Sequence, residues 1–201
     1  METSCIVLAG GKSLRLGRDK VLETVGNRSL LQLVLSCVTS LTREVIIVAV
    51  SEQIIPQSID HSKLRVVTDI YPGKGPLGGI YTGLTTSTSF YNLVVASDMP
   101  FLNQALLRYM IQLSANFDLV TPRVGDLVEP LHTVYTRNCL APIEHMIKQG
   151  KLRVNLLFSL VKARYVEAEE IERFDPKHLS FFNVNTEADL KRARELAGGH
   201  E

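Results

Sequence analysis

The chain has 201 residues, 45% of them hydrophobic and 21% charged, enough to build one sizeable core and unlike the composition of a disordered segment. Lysine plus arginine number 22 against 21 acidic residues, a net charge of +1, so no global field gathers nucleic acid or an anionic membrane. An anionic ligand has to be held by local chemistry.

The longest purely apolar run, Val45 to Val50, falls far short of the ~20 residues of a membrane span. Glu2 precedes a short apolar stretch that stops at Gly10, which argues against a signal peptide. Cys5, Cys37 and Cys139 are odd in number and widely separated, so neither a disulfide framework nor a zinc spacing is expected and a cytoplasmic location fits. The five histidines lack metal-pair spacing.

In chain order, Thr3–Leu8 reads as a buried strand ending at Ala9-Gly10-Gly11. A helical stretch runs from Ser29 to about Ser40, followed by a β-branched strand over Glu44–Val50. Leu64–Thr68 and Asn92–Ala96 read as strands, with helices predicted over Pro76 to about Thr86 and Asn103 to about Leu113. Asp118–Thr121 and Leu131–Tyr135 flank a polar turn at Arg123–Asp126 and suggest a hairpin or an antiparallel excursion from the parallel sheet. A helix over Cys139–Gln149 has Gly150 at the left-handed cap position. A last helix opens on Thr186-Glu187-Ala188-Asp189 and closes at Gly198-Gly199. The alternation predicts an α/β fold with right-handed crossovers, in one domain spanning residues 1–201 without repeat or linker.

The chemistry concentrates after the first strand. Leu8 to Lys20 combines a strand end, Gly10-Gly11, and the basic residues Lys12, Arg15, Arg18 and Lys20. Glycine lets main-chain N–H groups reach phosphate oxygens, while Arg and Lys neutralise charge. The blander alternative is a basic loop that merely turns the chain; Arg15 and Lys20 tip the balance toward an anion site. Gly11-Lys12-Ser13 mimics the end of a P-loop, but the required upstream glycine falls on Ile6, inside the strand. Gly73 to Gly78 forms a G-x-G-x-x-G pattern that starts four residues past its strand, which argues against a dinucleotide fold.

Asp98 follows a buried strand and precedes Met99-Pro100. A carboxylate projecting from a strand end toward a basic loop can hold Mg²⁺ against phosphates, or it can cap the helix near Asn103 or close an Asx turn before Pro100. Asp69 ends the preceding strand in the same way and can accept from a base edge or a ribose, or cap a turn.

Leu8-Ala9-Gly10-Gly11, Arg15, Gly17, Asp19 and Lys20 resemble the signature loop of nucleotidyltransferases, and the double glycine with Asp19-Lys20 resembles the molybdenum cofactor guanylyltransferase branch. The likeness continues through Gly75-Pro76-Leu77-Gly78-Gly79, Asp98-Met99-Pro100, Glu129-Pro130-Leu131 and Phe182-Asn183-Val184-Asn185-Thr186. It implies a three-layer, Rossmann-like nucleotidyltransferase fold with a mostly parallel sheet. It also implies transfer of GMP from GTP to molybdopterin, with or without molybdenum, releasing pyrophosphate. By position, Leu8, Ala9, Gly10, Gly11, Lys20, Asp69, Gly78 and Asp98 are implied GTP contacts, with Arg15, Lys20 and Asp98 catalytic and Asp98 the Mg²⁺ ligand. Glu129, Pro130, Arg153, Asn183 and Asn185 are implied molybdopterin contacts, in a C-terminal acceptor half. Transient docking of cofactor-delivery proteins and molybdoenzyme chaperones is implied too. The chain departs from the commoner pattern at Leu16 and at His132. The rival expectations are a cytidylyltransferase or sugar-1-phosphate nucleotidyltransferase of the same fold, and a nucleotide-responsive binding module without turnover.

Overall fold

The computed structural model describes residues 1–9, 22–49 and 62–198. From the N-terminus come β1 (Thr3–Leu8), the short strands β2 (Thr24–Val25) and β3 (Arg28–Ser29), α1 (Leu30–Val38), β4 (Val45–Ala49) and β5 (Leu64–Thr68). Then follow α2 (Gly75–Thr86), β6 (Tyr91–Ala96), α3 (Gln104–Leu113), β7 (Leu119–Val124), β8 (Leu127–Val128), β9 (His132–Thr136) and α4 (Leu140–Lys148). The chain continues through a 3₁₀ segment, Val154–Ser159, to β10 (Ala163–Val166), α5 (Ala168–Ile171) and α6 (Glu187–Gly198).

The main sheet runs β10-β7-β9-β6-β1-β4-β5. Strands β6, β1, β4 and β5 are mutually parallel, with Leu8 opposite both Val48 and Ala96. Strand β9 runs antiparallel to β6 and β7, while β10 returns parallel to β7. The expected excursion is therefore the reversed strand β9, with the short β8 also antiparallel to β7.

Side-chain alternation divides the core into two layers. Cys5, Val7, Val45, Ile47, Leu93 and Val95 face α1, α3 and α5. Ile6, Ile46, Val48 and Val94 face α2, α4 and the 3₁₀ segment. A smaller cluster joins Val25 and Leu30 to Val184, Leu190 and Ala193, fastening α6 beside α1.

The caps follow the sequence signals. Ser29 Oγ accepts from Gln32 N at 3.2 Å, and Gln32 Oε1 accepts from Ser29 N at 2.8 Å. Gly150, at φ +69°, ends α4 with Gly150 N donating to Ile147 O and Lys151 N to Met146 O, at 3.0 and 2.9 Å.

One strand end and one stretch differ from expectation, and two predicted ends lie outside the described residues. Strand β7 runs through Pro122 to Val124, so the turn shrinks to Gly125-Asp126. Pro122 sits opposite Val166 of β10, and its carbonyl accepts from Glu129 N at 3.3 Å. Strand β4 is described to Ala49; Val50, like Gly199 at the far end, lies outside the described residues. The elements between Gly150 and Thr186 have no counterpart in the sequence reading, because 3₁₀ turns and a four-residue strand carry no sustained period.

Helix α2 rides unusually close to β1. A Cβ on Gly79 would lie 3.1 Å from Leu8 Cδ2, and one on Gly83 would lie 2.8 Å from Ile6 Cδ1. Gly79 over Leu8 and Gly83 over Ile6 makes the helix run antiparallel to β1. Its N-terminus therefore lies at the edge where β1 ends.

Candidate active site

Open parallel sheets bind ligands beyond the carboxyl ends of their strands. Here the Leu8 carbonyl accepts from Ser97 N at 3.1 Å, and Ala9 N donates to Val48 O at 2.9 Å. The exit from β1 and the Ser97-Asp98 turn after β6 are thus neighbours on one edge. Asp98 is half-buried, backed by buried Met99 and Pro100. It does not cap α3, because Asn103 does: Asn103 Oδ1 accepts from Ala105 N and Leu106 N at 2.9 and 3.0 Å.

The Asp98 carbonyl accepts from Val184 N at 3.0 Å. Residues Asn183 and Asn185 flank that bond, so the late asparagine motif lies against the carboxylate loop although 85 positions separate Asp98 from Asn183. Asn183 Nδ2 donates to Phe181 O at 3.0 Å. The expected capping box holds the far side: Asp189 Oδ2 accepts from Asn185 N and Thr186 N at 3.0 and 2.8 Å, and Thr186 Oγ1 accepts from Asp189 N at 3.1 Å.

Asp69 follows β5, three strand positions from β6, a separation of about 14 Å at ~4.8 Å per strand. Its Oδ1 accepts from Tyr71 N at 2.9 Å and from Thr82 Oγ1 at 2.8 Å. Gly78 is buried, and a Cβ there would lie 2.8 Å from Tyr71 O. Its lack of a side chain is thus required by the approach of Tyr71. The N-terminus of α2 has Lys74 as N-cap without a side-chain capping bond and Pro76 in the first turn, a positive dipole end turned toward the edge.

The residues expected to contact the acceptor arrive from two layers. Pro130 and Arg153 line one pocket of about 460 Å³ with Pro76 and residues 152–156, on the face carrying α2 and α4. Asn183 and Asn185 come instead from the α6 side. Leu131 O accepts from Ala96 N at 3.3 Å, which keeps the Glu129–Leu131 loop at the same sheet edge as Asp98. Burial pushes the Glu129 carboxyl above its ordinary range. His132 takes no part in that pocket. It is fully buried on the opposite face, its ring against Phe181 with centroids 5.1 Å apart. Neither ring nitrogen has a hydrogen-bond partner among the described residues.

Gly10, Gly11, Arg15 and Lys20 lie outside the described residues. Thr82, Leu152 and residues 154–156 join the site without a sequence signal that marks them for it. A threonine inside a glycine-rich helix carries no motif, and the pocket segment has no regular period.

The pattern that defines the MobA-like NTP transferase domain matches residues 5–163. The chain belongs to this family. A probable molybdenum cofactor guanylyltransferase of Pelotomaculum thermopropionicum is 36% identical over 98% of this chain and 94% of that protein. The molybdenum cofactor guanylyltransferase of Desulfosudis oleivorans is 31% identical over 94% and 92% of the two chains. Among solved structures, molybdopterin-guanine dinucleotide biosynthesis protein A from Archaeoglobus fulgidus superposes with a TM-score of 0.83 at 27% identity, covering 98% of this chain and 99% of that one. A cytidylyltransferase from Thermus thermophilus, at 17% identity and a TM-score of 0.72 over 98% and 100% of the chains, shares the fold alone. The MobA-like assignment agrees with the α/β architecture and with the order of motifs along this edge.

Proposed function

We propose that this MobA-like chain is a molybdenum cofactor guanylyltransferase. An oxygen of molybdopterin's terminal phosphate attacks the α-phosphorus of GTP, and the bond to the β-phosphate oxygen breaks to release pyrophosphate. The single observation that carries the reading is the Val184–Asp98 backbone bond, which joins the late Asn-Val-Asn motif to the carboxylate loop. The names of the similar guanylyltransferases support the same substrates.

The attacking phosphate is already nucleophilic, so the protein's task is to bring two anions together in line. Unit like charges ~4 Å apart repel by about 4 kcal/mol at an effective dielectric of 20, which the cations Arg15 and Lys20 would offset. Leu8, Ala9, Gly10 and Gly11 offer main-chain groups, Asp69 and Gly78 lie toward the nucleoside end, and Glu129, Pro130, Arg153, Asn183 and Asn185 serve the acceptor. No three His, Cys, Asp or Glu side chains gather as a metal cluster among the described residues. One half-buried carboxylate beside the exit of β1 fits Mg²⁺, which keeps water and substrate-phosphate ligands. We assign Mg²⁺ to Asp98, where, when bound, it supplies charge stabilisation at the triphosphate. We further propose that one domain performs both tasks, in the cytosol, with cofactor-delivery proteins and molybdoenzyme chaperones docking transiently.

Labelled GTP incorporation into molybdopterin tests the roles. Asp98→Ala and Lys20→Ala should fold yet lose roughly 100-fold or more in turnover, the scale of removing one charge-stabilising group. Arg15→Lys should also be impaired, because a point charge does not reproduce a bidentate phosphate contact. Near-normal turnover in the folded variants would overturn these assignments.

A further inference from the structure

The Asp69 carboxylate is held from behind by a residue of another element. Thr82, on α2, is 1% exposed, and its hydroxyl lies 2.8 Å from Asp69 Oδ1. The same oxygen of Thr82 accepts from Ile70 N at 3.1 Å, so the hydroxyl is fixed by the turn following Asp69. Its one proton has two acceptors within reach, the Gly78 carbonyl at 3.0 Å and the carboxylate, and the charged acceptor forms the stronger bond. Tyr71 N and Thr82 Oγ1 both engage Oδ1; Oδ2 takes part in neither bond.

We infer that Thr82 is a positioning residue for nucleotide binding, orienting the Asp69 carboxylate so that Oδ2 is presented to the nucleoside of GTP. The inference rests on the reading that Asp69 contacts GTP. Two independent pieces of geometry carry it. The hydroxyl bridges the carboxylate and the adjacent backbone, and the glycine contacts of α2 on β1 fix the helix that delivers it. Asp69 stands about 14 Å from the strand bearing Asp98, so disturbing it alters ground-state binding and not the reacting phosphorus.

The test compares Thr82→Val, a near-isosteric change that deletes the hydroxyl, with Thr82→Ser, Asp69→Asn and the Thr82→Val/Asp69→Asn double variant. GTP dissociation constants and the KM and kcat of transfer are read on the full chain. Thr82→Val should weaken GTP binding and raise KM roughly tenfold with kcat nearly unchanged, and Thr82→Ser should restore both. In the Asp69→Asn background the valine should add little further loss, because the threonine acts through the carboxylate. Should the valine variant not fold, Thr82→Ala replaces it in the same comparisons. If Asp69→Asn weakens GTP while folded Thr82→Val does not, or if kcat falls with KM unmoved, the role of Thr82 is refuted. If Asp69→Asn itself leaves GTP affinity intact, the underlying placement of GTP beside Asp69 fails instead.

Discussion

Asp69 and Asp98 end corresponding strands, yet their surroundings divide their work. Asp69 closes a turn and leans on Thr82, while Asp98 offers its main chain to Val184. Both alternatives the sequence leaves open for Asp69, a turn cap and a ligand contact, are compatible with that arrangement, since the turn occupies Oδ1. For Asp98 the helix-cap alternative is removed by Asn103. His132 is the other residue whose meaning required coordinates, since a histidine within an apolar strand reads equally as ligand or core. Burial pulls its imidazole down to about 4, against a smaller opposing pull from Asp175. The unfolded chain binds this proton near pH 6.5 and the folded one only near about 4. Its contribution is therefore present above pH 6.5 and is lost as pH falls toward 4. Between pH ~7 and pH ~5 the stability measured by urea unfolding should drop by about 2 kcal/mol from this group. Glu129, whose carboxyl burial raises, acts in the opposite sense, so comparison with His132→Leu isolates the histidine. The leucine variant should show a flatter acid limb; an identical slope would exclude His132 as its source.

Among the elements, α2 carries a motif whose purpose is only half visible in the sequence. The loop from Gly73 to Gly78 reads as a backbone surface beside a nucleotide, but Gly79 and Gly83 answer to Leu8 and Ile6 beneath the helix. That spacing of four brings both glycines to one helical face. Gly83→Ala should destabilise by about 1–3 kcal/mol through overpacking, despite alanine's better helix propensity. Its cost should shrink in an Ile6→Ala background, where Cγ2, the atom nearest the new methyl, is gone together with Cδ1 and Cγ1. Fully additive losses in urea unfolding would show that Ile6 is not the obstacle. By contrast, α1, α3 and α6 are readable at their starts because Ser29, Asn103 and Thr186 each make their capping bonds within three residues. Local bonds leave local signatures. The 3₁₀ segment at Val154–Ser159 is held by packing of Val154, Leu157 and Phe158 on α4's layer, a long-range cause that leaves little pattern in sequence.

Across the molecule, the parallel half is legible because strands buried on both faces must be continuously apolar, as Ile6–Leu8, Val45–Ala49 and Leu93–Ala96 are. The order of those strands depends on contacts between distant segments, and so does the return of the chain through Asn183, Val184 and Asn185 to the side of Asp98. No residue pattern encodes the two flanks from which the residues proposed for the acceptor arrive, with Pro130 and Arg153 on the α2 side and Asn183 and Asn185 on the α6 side. Guanylyl transfer is the reaction we assign to the sheet edge between them. The direct test is pyrophosphate release by the full chain with molybdopterin, Mg²⁺ and either GTP or CTP. GTP should support acceptor-dependent turnover at least roughly tenfold faster than CTP, a difference of about 1.4 kcal/mol. Equal or faster turnover with CTP, or no acceptor-dependent release with GTP, would contradict it.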